Sequence, residues 1–213
     1  MALDVKMLTV GAIEENCFLL RAAGSDLLLV VDPGEEADRI LAAAEEMGEV
    51  EAILLTHCHF DHIGAVAPVA AATGAPVYCP KRELRLLSDI MAFVPCEGFG
   101  PYESYEADET VEGGETLELA GLELDVIFTP GHSPGHVTYS VRGEDAIFSG
   151  DVLFQGSVGR VDLPGGDGPT LIESIGRLLD SHPDETVVHP GHMGITTLGA
   201  ERASNPFLAS LAR

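Results

Sequence analysis

The sequence predicts an α/β fold, and three observations carry that expectation. Between residues 35 and 91, stretches with apolar residues at helical spacing alternate with short apolar runs, the pattern of helices laid on a sheet. The apolar runs at residues 52–55, 126–128, 147–148 and 187–188 each stop at a group containing histidine or aspartate, which puts chemistry at strand ends. The chain has 213 residues, of which 46% are hydrophobic, enough for one sizeable core and few for two. A single domain over residues 1–213 is therefore expected.

Taken in order, residues 5–10, 17–22 and 27–31 read as three strands of an antiparallel meander, the last two joined by a turn at Gly24-Ser25-Asp26. The third ends in Asp32-Pro33-Gly34. An aspartate there is either a turn former or an anchor reaching under a neighbouring loop, and local sequence leaves both open. Ala37, Ile40, Leu41, Ala44 and Met47 predict a helix over 35–47 that Gly48 stops. A strand at 51–56, a helix from Gly64 to Thr73, a short strand at 77–79 and a helix over 81–91 follow. From 92 to 115 the periodicity fails, and Phe93, Phe99, Tyr102 and Tyr105 fall in a loop punctuated by Pro and Gly. Such a loop is a lid or pocket wall, or else a surface cluster over the core. Strands are expected at 116–119, 122–128, 137–141 and 146–149. Thr170 to Glu173 has capping-box form and opens a helix with Leu171, Ile175 and Leu178 inward. A strand at 185–188 and a helix over 201–211 complete the chain.

The densest chemistry lies in Thr56-His57-Cys58-His59-Phe60-Asp61-His62, on a strand-to-helix loop. Three imidazoles and a carboxylate at this spacing are a metal-binding pattern. Residues two apart in an extended loop point the same way, so His57 and His59 converge on one cation while Asp61 and His62 turn to a second. Later strands end at His132, Asp151 and His192. These seven donors, all nitrogen or oxygen, suit two cations sharing a carboxylate and a bridging water, spaced about 3.5 Å as in two-metal hydrolytic sites. The nitrogen-rich set favours zinc, iron or manganese over magnesium or calcium. His136 and His189, three or four residues from a ligand, read as structural histidines or else as supports behind the ligands, and His182 as a surface one. Cys58 alternates with the histidines and is expected to pack. Cys17, Cys58, Cys79 and Cys96 form no CxxC pair and read as reduced thiols.

Composition excludes several classes of partner. The formal net charge is −24, from 35 acidic and 11 basic residues, so nucleic acid and anionic membranes are repelled. No run is long enough to span a membrane, and the first residues do not read as a secretory signal, so a cytoplasmic location is expected. Oligomeric state is not legible.

The segments Asp32-Pro33-Gly34, THCHFDH (56–62), TPGHSPGH (129–136), SGDVLFQGSVGRVDLPGGD (149–167), HPGH (189–192) and TTLGAERASNPFL (196–208) resemble those of the metallo-β-lactamase-fold hydrolases. Within that family they are most similar to the small, single-domain glyoxalase II-like proteins. The resemblance implies a four-layer αβ/βα sandwich with the site at one edge. It assigns His57, His59 and His132 to a first metal and Asp61, His62 and His192 to a second. Asp151 bridges them, and Asp32 becomes an anchor behind the ligands. Full-length glyoxalase II enzymes add a C-terminal helical domain that contributes to the glutathione site, and no such domain is expected after Arg213.

The activity so implied is hydrolysis of a thioester such as an S-acyl glutathione, by a hydroxide held between two divalent metals, zinc first among the candidates. Asp61 orients that water or accepts its proton, and the substrate is a small molecule. The alternative is a persulfide dioxygenase, in which one iron is held by His57, His132 and Asp151.

Overall fold

The computed structural model describes residues 2–95 and 97–209. Strands β1 (Leu3–Val10), β2 (Glu15–Ala22) and β3 (Leu27–Val31) form the expected meander. Helix α1 (Ala37–Met47) leads to β4 (Glu49–Leu54), the short α2 (Phe60–Ile63), α3 (Val66–Thr73) and β5 (Val77–Pro80). After α4 (Leu84–Ser88), β6 (Glu109–Val111) completes a six-stranded sheet in the order β1-β2-β3-β4-β5-β6. Strands β7 (Thr116–Leu119), β8 (Leu122–Phe128), β9 (Val137–Val141) and β10 (Ala146–Gly150) begin a second sheet. A small hairpin of β11 (Leu153–Phe154) and β12 (Ser157–Val158) precedes α5 (Gly168–Ser181). Then β13 (Val187–Pro190), β14 (Thr196–Thr197) and α6 (Leu198–Ser204) follow, and the second sheet runs β14-β13-β10-β9-β8-β7.

The period of two along each strand divides its side chains between two apolar seams. Leu19, Leu28, Val30 and Ile53 face the α1–α4 side, with Ile40, Val66 and Leu87. Their neighbours Phe18, Leu20, Leu29 and Leu54 face the second sheet, meeting Leu124, Val126, Tyr139 and Phe148. Ile147 and Val188 point outward from the second sheet onto Leu171, Ile175 and Leu178 of α5. Three seams between four layers make the αβ/βα sandwich.

Several boundaries differ from the sequence reading. The helix expected from Gly64 is α3, starting at Val66, and a further short helix, α2, forms before it inside the histidine loop at Phe60. The one expected over 81–91 is α4 flanked by 3-10 turns. The segment 92–115 contains β6, too short to show a period. Helix α5 starts before the anticipated capping box: Asp167 is its N-cap, accepting from the Thr170 N–H at 2.8 Å. The last helix starts earlier too, at Leu198, and ends at Ser204; residues 210 and 211 and Cys96 lie outside the described residues. His182 is half-buried against Ser140 rather than on the surface.

Candidate metal centre

Strands β3, β4 and β5 are parallel, and β8, β10 and β13 share one direction because β9 runs antiparallel to both β8 and β10. Their C-terminal ends meet at one edge of the sandwich. Asp32 follows β3, the 57–62 loop follows β4, His132 follows β8, Asp151 follows β10 and His192 follows β13. The two sheets are sewn together there. The Val137 N–H donates to the Thr56 carbonyl at 2.9 Å, and the Asn16 N–H to the Gly191 carbonyl at 2.7 Å.

All seven sequence-predicted donors come together. His57 Nε2, His59 Nδ1 and His132 Nε2 lie 2.8–3.2 Å from one another. Asp61, His62 and His192 form a second group, with His192 Nε2 at 3.3 Å from Asp61 Oδ2 and His62 Nε2 at 3.8 Å from it. Asp151 faces both groups. Its Oδ1 lies 3.4 Å from His62 Nε2, and its Oδ2 lies 3.4 Å from His132 Nε2 and 3.7 Å from His192 Nε2.

The rear nitrogens are held so that the front ones face the centre. His132 Nδ1–H donates to the Arg160 carbonyl at 2.8 Å, and His192 Nδ1–H to that of Glu14 at 3.3 Å. Asp32 accepts from His62 Nδ1 at 3.1 Å and from the Thr56 N–H and hydroxyl at 2.7 and 2.6 Å. Thr56 Oγ1 then accepts from His57 Nδ1 at 3.1 Å, so one buried aspartate orients two imidazoles.

A divalent cation fits this arrangement. One proton among three converging imidazole lone pairs satisfies at most one pair, whereas a cation satisfies all three. His62 Nε2 and Asp151 Oδ1 are buried without a hydrogen-bond partner although only 3.4 Å apart. Burial opposes ionisation of Asp151, but the adjoining His62 and His132 outweigh it and hold its carboxyl well below the usual range. Burial likewise works against charge on His62, yet Asp151 and Asp61 raise its proton affinity well above the ordinary value. The cluster thus attracts positive charge. His57 and His59 are driven the other way, first by burial, His59 to about 4, leaving them neutral and able to ligate.

Of the two readings left open for His136, the structure favours a support behind the ligands: its Nε2 accepts the backbone N–H of Asp151 at 3.1 Å and its ring stacks on His57. Sequence reading missed three other contributors. Asn16 donates through Nδ2 to the carbonyls of Pro190 and Met193 at 3.1 and 2.9 Å, fixing the loop that carries His192. Glu15 is fully buried 3.8 Å from His62 Nδ1, and burial pushes its carboxyl well up. Glu83 accepts from Ser133 and Gly135 at 2.8 and 2.6 Å, holding the turn after His132. The one signal for Asn16 and Glu15 is that they stand as a polar pair at the head of a largely apolar strand. Gly191 is required by space: a Cβ there would lie 2.4 Å from Asp151 Oδ1.

A family model described as the metallo-beta-lactamase superfamily matches residues 10–192. The chain belongs to that superfamily. Among metallo-beta-lactamase relatives, it is 41% identical to a probable metallo-hydrolase, YqgX, of Bacillus subtilis, with 95% of this chain and 96% of that one covered. It is 34% identical to the hydroxyacylglutathione hydrolase GloC of Haemophilus influenzae, over 98% and 99% of the two chains. Of solved structures, the BLEG-1 B3 metallo-beta-lactamase superposes with a TM-score of 0.91 at 38% identity, covering 97% of this chain and all of that one. The structure of TTHA1623 in a di-iron-bound form gives a TM-score of 0.76 at 41% identity, covering 95% and 100%. The metallo-beta-lactamase fold with these His and Asp groups points to divalent metals.

His59, Asp61, His132, Asp151 and His192 line a cleft of about 900 Å³. Phe93 and Phe99 line it, so part of the irregular segment is a pocket wall. Tyr102 and Tyr105 do not: the Tyr102 hydroxyl donates to Glu35 Oε1 at 2.5 Å, and the Tyr105 hydroxyl to Asp108 Oδ2 at 3.1 Å. Cys58 packs as expected, its sulfur 3.4 Å from that of Cys79.

Proposed function

We propose that the chain is a dinuclear, metal-dependent hydrolase of thioesters. The observation that carries this reading is the split of Asp151, one oxygen toward His62 and the other toward His132, which joins two donor groups into one site. In this assignment His57, His59 and His132 would hold one divalent ion and Asp61, His62 and His192 the other, with Asp151 facing both donor groups. Zinc suits the donor set best, with iron or manganese as substitutes. When bound, the ions acidify water and polarise the substrate carbonyl.

The protein's own groups do the rest. Asp61 borders the cleft, orients the attacking water by accepting its hydrogen bond and takes up its proton. The water oxygen bonds to the carbonyl carbon, the carbon–sulfur bond breaks, and the thiolate leaves to gain a proton. Asp32 and Thr56 keep His57 and His62 aimed throughout. The name hydroxyacylglutathione hydrolase, given to a relative matched over 99% of its length, supports a thioester as substrate.

The test is a panel of thioesters assayed on protein whose metal content has been measured. Two equivalents of metal with thioester turnover is the expected result. Metal-replete protein that turns over no thioester would sink the reading, and a single iron with oxygen consumption would favour the dioxygenase use of His57, His132 and Asp151.

A further inference from the structure

The cleft is larger than a short hydroxyacyl group needs. Its volume of about 900 Å³ stands near the upper end of ordinary ligand sites. One stretch of chain, residues 86–99, gives it Leu86, Ile90, Phe93, Val94 and Phe99. That wall is attached to the donor loop: the Phe99 ring lies 4.9 Å from that of Phe60, the residue between His59 and Asp61. Apolar surface also adjoins the second donor group, where the Phe154 ring lies 5.8 Å from that of His192. Phe93 is 38% exposed, and the Arg85 guanidinium, 5.4 Å from its ring centroid, steadies it. Apolar side chains left open to water inside a cleft mark a binding surface.

Charge points the same way. Arg160 is the one Lys or Arg among the described lining residues, and its guanidinium is committed to Asp162 by bonds of 2.7 and 2.8 Å. Glu14, Asp61 and Asp151 line the same space. A ligand rich in carboxylates therefore meets few side-chain cations there, Arg85 lying over the ring of Phe93, whereas a hydrocarbon chain meets an apolar wall.

Resting on the thioesterase reading above, we propose that Leu86, Ile90, Phe93, Val94 and Phe99 form an acyl-chain subsite for the uncharged, medium-length hydrocarbon chain of a thioester. Its carbonyl lies at the donor groups while its chain lies along the wall. Each methylene buried there contributes about 0.8 kcal/mol, a factor of about four in kcat/KM.

The experiment uses the metal-loaded protein and neutral N-acetylcysteamine thioesters with acetyl, butyryl, hexanoyl and octanoyl groups. In parallel, binding of the non-hydrolysable thioether S-octyl-N-acetylcysteamine is measured by calorimetry against its S-methyl counterpart. The expected result is kcat/KM rising about fourfold per methylene, with the octyl thioether binding and the methyl one not. Phe93→Ala should lower the octanoyl to acetyl ratio about tenfold, and Val94→Asp further, with melting transitions confirming that both variants fold. If the octyl thioether binds but no thioester is turned over, the subsite stands and the thioesterase reading fails. Thioesters hydrolysed at rates independent of chain length, with no preference for the octyl thioether, would overturn the subsite and leave the thioesterase reading standing.

Discussion

Asp151 is the side chain on which both donor groups depend, since its two oxygens face different imidazoles. Asp151→Ala should abolish hydrolysis by releasing metal. Asp61→Ala should lower it at least about a hundredfold while costing chiefly the second equivalent. Metal analysis of the two variants separates these outcomes, and wild-type loading in Asp151→Ala would contradict the bridge. Asp32 acts from behind, through His62 and through Thr56 to His57. Asp32→Asn should therefore weaken metal affinity about 10- to 100-fold, as read by chelator competition. His189 packs face to face on Phe148, 4.7 Å between centroids, and burial pushes it from its ordinary value of 6.5 down to about 4. The unfolded chain then binds the extra proton first, so stability is lost as pH falls from 6.5 towards 4, by up to about 3 kcal/mol. His189→Phe should flatten that acid limb in urea titrations of metal-free protein; an unchanged slope would contradict the assignment.

At the scale of elements, the site depends on how strand ends are tied across the sandwich. Asn16 on β2 reaches the loop after β13 with two side-chain bonds, and its Oδ1 accepts from Thr9 at 2.9 Å. Asn16→Ala leaves two carbonyls without that donor, so it should cost roughly 2 kcal/mol in denaturant titrations. It should also loosen His192 and reduce the second metal equivalent more than the first. Equal loss of both metals would mean a general collapse of the edge instead. The longer strands were legible because apolar runs such as Ile53-Leu54-Leu55 are a local property of sequence, whereas β6, β11, β12 and β14, two or three residues each, were not. The short α2 within the donor loop and the early end of α4 at Ser88 were not legible either, because neither has a side-chain cap in the chain to mark it.

Over the whole molecule, acidic charge is spread on the surface and most cations are already engaged. Lys6, Arg21, Arg39, Lys81, Arg142, Arg160 and Arg202 each pair with a carboxylate. With a net charge of −24, an anionic substrate is repelled at long range. Raising salt shortens the screening length from about 10 Å at 0.1 M to about 3 Å at 1 M. It should increase kcat/KM severalfold for a glutathione thioester and leave a neutral thioester nearly unchanged. An equal response of the two substrates would remove the electrostatic explanation. No helix among the described residues is long and apolar enough to cross a membrane.

The sequence by itself determined the α/β class and set seven metal-type side chains at or just after strand ends, because each rests on spacing within a few residues. Histidines two apart at a strand end, or an aspartate closing an apolar run, carry their meaning locally. The tertiary structure alone decided that His136 holds the backbone of Asp151, and that Phe93 and Phe99 face the cleft while Tyr102 and Tyr105 turn away. These depend on which loops meet when two sheets close on each other. Asn16 and Pro190 are 174 residues apart in sequence, and no local pattern records that one will hold the other in place.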